Sequence, residues 1–261
     1  MKHGILLVIG CILFALTGLA QMAATPTKQM ETGVGAFSTA FDDWSYEGFV
    51  AAAGICAAVA QAAPTSFPAF YWQGVADFHA VLWCGKPESG ELRTKSAQRL
   101  QRLERARNAF EEGLRLKPDD PECHALLSAL LGIQIADHPA TALWRGPHVL
   151  RHQRLALLNG PDNPRVHYLI GSGYYHAPRL LGDHKKALVH FLKAEALFEK
   201  EAAAAGDPLQ PRWGRSSCLT FTGRLYEEDG DRDKGVAYYR KALKANPRDK
   251  LALQYLSGRS E

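Results

Sequence analysis

The chain has 261 residues, of which 46% are hydrophobic and 22% charged, and carries a formal net charge of +4. That balance excludes a disordered polymer, which needs fewer apolar residues and a larger net charge. It also excludes a dedicated nucleic-acid binder, for which a clustered basic stripe is expected.

In chain order, Lys2 and His3 lead into an apolar run from Gly4 to Ala20 that ends in small residues. A charged start, a short apolar core and a small-residue end predict a secretory signal over 1–20, cleaved after Ala20 with Ala23 or Ala24 as alternatives, and therefore an exported protein, periplasmic or secreted. Val8-Ile9-Gly10-Cys11 resembles a bacterial lipoprotein box, but strongly apolar residues follow the cysteine where a mature lipoprotein turns polar. The run is also short for a spanning helix. Membrane contact is thus expected only through the alternatives of lipidation or an uncleaved anchor. Residues 21–40 are small and polar and read as a linker.

From residue 41 to 261, apolar residues recur at helical spacing and no stretch alternates long enough to be a strand. The expected fold is all-α. Helices are predicted at 44–62, 67–84, 95–116, 121–136, 147–158, 164–176, 184–202, 212–229, 232–245 and 249–258. Between them fall Pro64, Pro87, Pro118, Pro139, Pro147, Pro161, Pro178, Pro208 and Pro247, where a missing N–H does least harm. Short connections between helices of this length predict stacked antiparallel hairpins.

A repeat runs through them. Gly223 and Tyr226 are followed by Gly235, Tyr239, Ala242 and Pro247, at twelve, sixteen, nineteen and twenty-four residues after Gly223. Small residues on facing helices let two backbones approach, and the aromatics fill the space around the contact. Upstream, a small residue stands ten positions after several prolines: Gly74 after Pro64, Ser128 after Pro118, Gly171 after Pro161. Eight positions before those prolines stand Cys56, Phe110 and Gln153. The clearest units are 164–199 and 216–249. This pattern resembles the tetratricopeptide repeat (TPR) family. The resemblance implies a superhelical array of antiparallel helical hairpins that binds another protein or peptide in its concave groove and performs no catalysis. On that geometry Tyr71, Phe78, Arg165, Tyr168, Tyr175 and Arg224 are the expected groove residues, since aromatic and Arg side chains most often anchor binding. Some family members grip a terminal carboxylate with paired Lys and Asn. The matching positions here hold Tyr168, Ser172, Thr220 and Arg224, so that activity is not implied.

No catalytic pattern emerges. Gly171-Ser172-Gly173 is not a nucleophile elbow, and there is no phosphate-binding glycine loop. His148 and His152 lie four apart as two metal ligands could, but the third candidate, His138, falls in a connection, so no metal or other cofactor is expected. Cys56, Cys84, Cys123 and Cys218 remain after signal removal; they permit two disulfides without requiring them.

Overall fold

The computed structural model describes residues 25–85, 93–177, 182–204 and 206–258. The expected signal over 1–20 and the lipoprotein-box residues lie outside them. Among the described residues are eleven α-helices and no strand: α1 (Pro26–Asp43), α2 (Tyr46–Ala62), α3 (Phe67–Cys84), α4 (Arg93–Leu116), α5 (Pro121–Asp137), α6 (Ala142–Asn159), α7 (Pro164–His176), α8 (His184–Ala203), α9 (Arg215–Glu228), α10 (Arg232–Ala245) and α11 (Lys250–Ser257). None is long and apolar enough to cross a membrane.

The helix starts are written locally. Asn163 accepts from the Arg165 and Val166 amides, Asp120 from Cys123, Asp183 from Lys186, Asp231 from Lys234 and Asp249 from Leu251 and Ala252. Each satisfies donors that the first turn leaves open. Pro26, Pro121 and Pro164 stand at the first helical position, where the missing N–H costs nothing.

Helices pair as hairpins α1/α2, α3/α4, α5/α6, α7/α8 and α9/α10, with α11 closing the array. The small-residue rule holds in space. A Cβ on Gly74 would stand 2.5 Å from the Phe110 ring, one on Gly171 2.7 Å from Phe191, and one on Gly223 2.8 Å from Tyr239. On α9 and α10, the Gly223 and Gly235 positions each abut the other's carbonyl at 2.9–3.0 Å. Gly33 and Cys56 repeat the contact in the first hairpin, at 2.8 Å to the thiol. Among the described residues, Cys56, Cys123 and Cys218 are buried free thiols.

Two expectations are corrected. The linker over 21–40 is helix from Pro26 onward, because Met30, Gly33, Val34, Phe37 and Ala40 make a buried stripe within otherwise small and polar residues, and Thr25 and Pro26 start it. Pro147 does not precede its helix. It lies inside α6, one turn past the start, where the preceding 3₁₀ turn Pro139–Thr141 leads directly into the helix.

The glycine contacts predict opposite signs at two sites. Gly74→Val should cost about 1–3 kcal/mol, since Phe110 is fully buried and cannot yield. Gly132→Ala, in mid-helix with nothing within 4 Å, should gain about 0.5–1 kcal/mol. Urea unfolding measures both.

Candidate binding cleft

In a hairpin array the first helix of each unit faces the concave side, so α3, α5, α7, α9 and α11 should line a groove. Here much of that side is filled. The connection after α8 folds inward: the Leu209 carbonyl accepts from Trp72 Nε1 at 2.9 Å, and Trp213 Nε1 donates to the Tyr71 hydroxyl at 3.1 Å. Gly214, at φ +100°, lets the chain turn from Trp213 into α9.

Four of the six expected groove residues are consequently interior: Tyr71, Phe78 and Arg165 are each 3% exposed and Tyr168 8%. Tyr71 donates to Glu122. Arg165 binds Glu122 through Nε at 2.8 Å and both Glu201 oxygens through its two terminal nitrogens at 2.9 and 2.6 Å. Burial opposes the guanidinium charge, but the two carboxylates outweigh it and hold the group above its ordinary value. These three side chains are therefore structural; the sequence pattern cannot separate an inward-facing Arg from a groove-facing one. Tyr168 alone of the four reaches an opening.

That opening is a cleft of about 340 Å³ where the two ends of the array approach. Phe41 and Trp44 at the end of α1 form one wall; Ser217, Thr220 and Phe221 on α9 and Gln254 on α11 form the other. Arg248 bridges the rim, to Asp43 at 2.6 Å and Asp42 at 3.3 Å. Phe221 extends the cleft outward, packing on Tyr175 at 5.5 Å and His176 at 5.1 Å. Beyond it the remaining two expected residues come together. Glu228 accepts from the Tyr175 hydroxyl at 3.0 Å and from Arg224 Nε at 2.8 Å, and the Arg224 guanidinium lies over Tyr255 at 5.1 Å. Burial and the Glu228 carboxylate push the Tyr175 phenol up to about 12. A cleft with Trp44 on one side and Phe221 on the other, continued by Tyr175 and dotted with hydroxyl and amide groups, suits an extended chain: rings for side chains, polar groups for its backbone. The sequence does not single out Trp44, Ser217 and Phe221, because the helix Pro26–Asp43 that completes the cleft has a linker-like composition of small and polar residues.

A second feature is a cage around His79. Its ring, 2% exposed, lies 5.0–6.4 Å from Phe37, Phe41, Trp44, Phe49, Phe78 and Trp213, and Nδ1 donates to the Val75 carbonyl at 2.8 Å. Burial pushes this imidazole down to about 4.

Comparison with known proteins agrees with this geometry. Residues 218–249 match the family model of the tetratricopeptide repeat. That segment is similar to a tetratricopeptide repeat. The match covers the α9/α10 unit, and the array as a whole is similar in fold to a solved tetratricopeptide protein. A thermophilic TPR protein in Thermus thermophilus is 19% identical, with 89% of this chain and 98% of that one covered at a TM-score of 0.61. The HusA haemophore from Porphyromonas gingivalis is 16% identical over 79% of this chain and 96% of that one, at 0.55. At such identities the likeness shows the fold alone. No curated protein matches the sequence. The matching family is a repeat, not an enzyme family.

Two outcomes test the interior. Arg165→Met leaves Glu122 and Glu201 buried without their cation and should cost about 3–5 kcal/mol, read by urea unfolding. For His79, the unfolded imidazole titrates near 6.5 and the folded one near 4, so between these values the unfolded state binds more protons. Stability should therefore fall as pH drops from 6.5 toward 4, by at most about 3 kcal/mol for this group. His79→Phe should make that limb of the pH–stability curve shallower, leaving the share of His152 and His190, which burial also pushes down to about 4.

Proposed function

We propose that this protein is a non-catalytic scaffold of the cell envelope that binds an extended segment of a partner protein in the cleft between α1, α9 and α11. The cleft's continuity carries the reading. It is open, walled by aromatics on two sides, and prolonged past Phe221 to the half-exposed Tyr175 and Arg224. The envelope location rests on the signal-like residues 1–20.

Ser217 and Phe221 both line the cleft from half-exposed positions on α9. Ser217→Arg should block the cleft while leaving helical circular dichroism and thermal unfolding unchanged. A pull-down from envelope extract, or selection from a displayed peptide library, should give a binder with the wild type that Ser217→Arg and Phe221→Ala both lose. Binders kept by both variants would remove the cleft from the reading.

One observation favours a second reading, a subunit of an envelope or transport complex. Leu143, Leu150 and Leu158 are 85%, 66% and 71% exposed along one side of α6, with Trp144 beside them. Helical spacing places the three leucines in a single stripe. On this reading Leu150→Glu, and not Ser217→Arg, abolishes partner capture.

A further inference from the structure

Two successive hairpins carry the same histidine arrangement. In α5/α6, His124 Nδ1 faces His152 Nδ1 at 3.0 Å, and His124 Nε2 meets the Pro118 carbonyl at 2.9 Å. In α7/α8, His167 Nδ1 faces His190 Nδ1 at 3.0 Å, and His167 Nε2 meets the Pro161 carbonyl at 2.8 Å. A carbonyl accepts only, so Nε2 of His124 and of His167 must carry the proton, and each Nδ1 presents a lone pair to the opposite ring. The binding cleft uses none of these four residues.

A ring that donates one nitrogen to a backbone carbonyl while aiming the other's lone pair outward is the arrangement found in metal-ligating histidines. The separation also fits. Two ligands at about 2.05 Å from one ion lie about 2.9 Å apart at a right angle and about 3.3 Å apart at the tetrahedral angle. The right-angle value is closer to that observed, and square-planar nitrogen sites favour Cu(II) and Ni(II).

The two pairs differ in their surroundings. His148 lies one turn before His152 on the same side of α6 and is exposed, within reach of becoming a third ligand by a rotamer change. Asp119 and Asp120 lie near His124, opposed by Arg151. In the second pair, the position one turn before His190 is Lys186, whose ammonium already meets Asp183, and the carboxylate near His167, Asp162, is held by Lys193 at 3.0 Å. Among the described residues no three ligating side chains stand together without such a movement.

We propose that His124 and His152, joined by His148, form a binding site for a divalent copper or nickel ion, and that the His167–His190 pair is a weaker counterpart without a third ligand. Binding replaces the hydrogen bond between the rings. The proton on His152 Nδ1 passes to its Nε2, both rings stay neutral, and the ion takes the two Nδ1 lone pairs. The binding energy is thereby coupled to the packing of α5 against α6.

The test is calorimetric titration of the full, untagged chain with nickel sulfate at neutral pH, with a Cu(II) electron paramagnetic resonance spectrum alongside. The expected result is one site that His152→Gln weakens at least about tenfold and His148→Gln weakens also, while His190→Gln leaves it unchanged. The copper spectrum should show coupling to imidazole nitrogen that His152→Gln removes. His148 and His152 are not fully buried, and unchanged circular dichroism of these variants confirms that they fold. Wild-type binding no tighter than that of the His148→Gln/His152→Gln double variant would overturn the proposal, leaving the pairs as hydrogen bonds alone. Equal loss in His190→Gln would also overturn it.

Discussion

The array is organised around one buried cation. Arg165 sits at the second position of α7, out of water, and receives carboxylates from α5 and α8. Ions this deeply buried lose most of their hydration, and only close, multiply bonded geometry offsets the loss. The offset here is nearly complete. Glu122 accepts from Arg165, from Asn163 Nδ2 at 2.7 Å and from Tyr71, while Tyr71 in turn accepts from Trp213. One guanidinium thereby sets the relative placement of α3, α5, α7 and α8 and draws in the connection before α9. An apolar core would tolerate sliding of these helices; a bidentate ion pair does not.

That constraint explains why the concave side is part core and part cleft. Trp213, drawn in by Tyr71, completes the cage over His79 and closes the middle of the groove. What stays open is the space that α1 and the last helices enclose beyond it. The tetratricopeptide plan supplies the curved stack, and the inserted connection and the N-terminal helix decide which part of its inner surface can meet a partner.

The hairpins were legible in the sequence because their causes are local. Proline punctuation, Asp and Asn caps, and a glycine facing a ring are short-range signals, and nearly every helix between Tyr46 and Ser257 begins and ends within a few residues of its expected bounds. The exception, Pro147, shows that proline one turn into a helix resembles proline before one. α1 was hidden by composition: its stripe of Met30, Val34 and Phe37 is spread among Thr, Ser and Gly. The site was less legible than the fold. Tyr71, Tyr168 and Tyr175 all lie on first helices of their hairpins, yet superhelical curvature and a distant loop decide which are covered, and neither is written near those residues. The histidine pairs show the same limit. His148 and His152 are visible as a helical spacing, whereas His124 reaches them only through hairpin packing.

The bridge from Arg248 to Asp42 and Asp43 joins positions about two hundred residues apart. Exposed ion pairs of this kind contribute little, on the order of 0.5 kcal/mol each. Their topological consequence is larger. In an open solenoid every unit touches only its sequence neighbours, so assembly can start anywhere and spread, and the terminal units fray independently. Closing the array end to end adds contacts of very high sequence separation, whose formation waits until the intervening units are in place. The Arg248 bridge to Asp42 and Asp43 is such a contact, and it is made only when both ends of the array are folded.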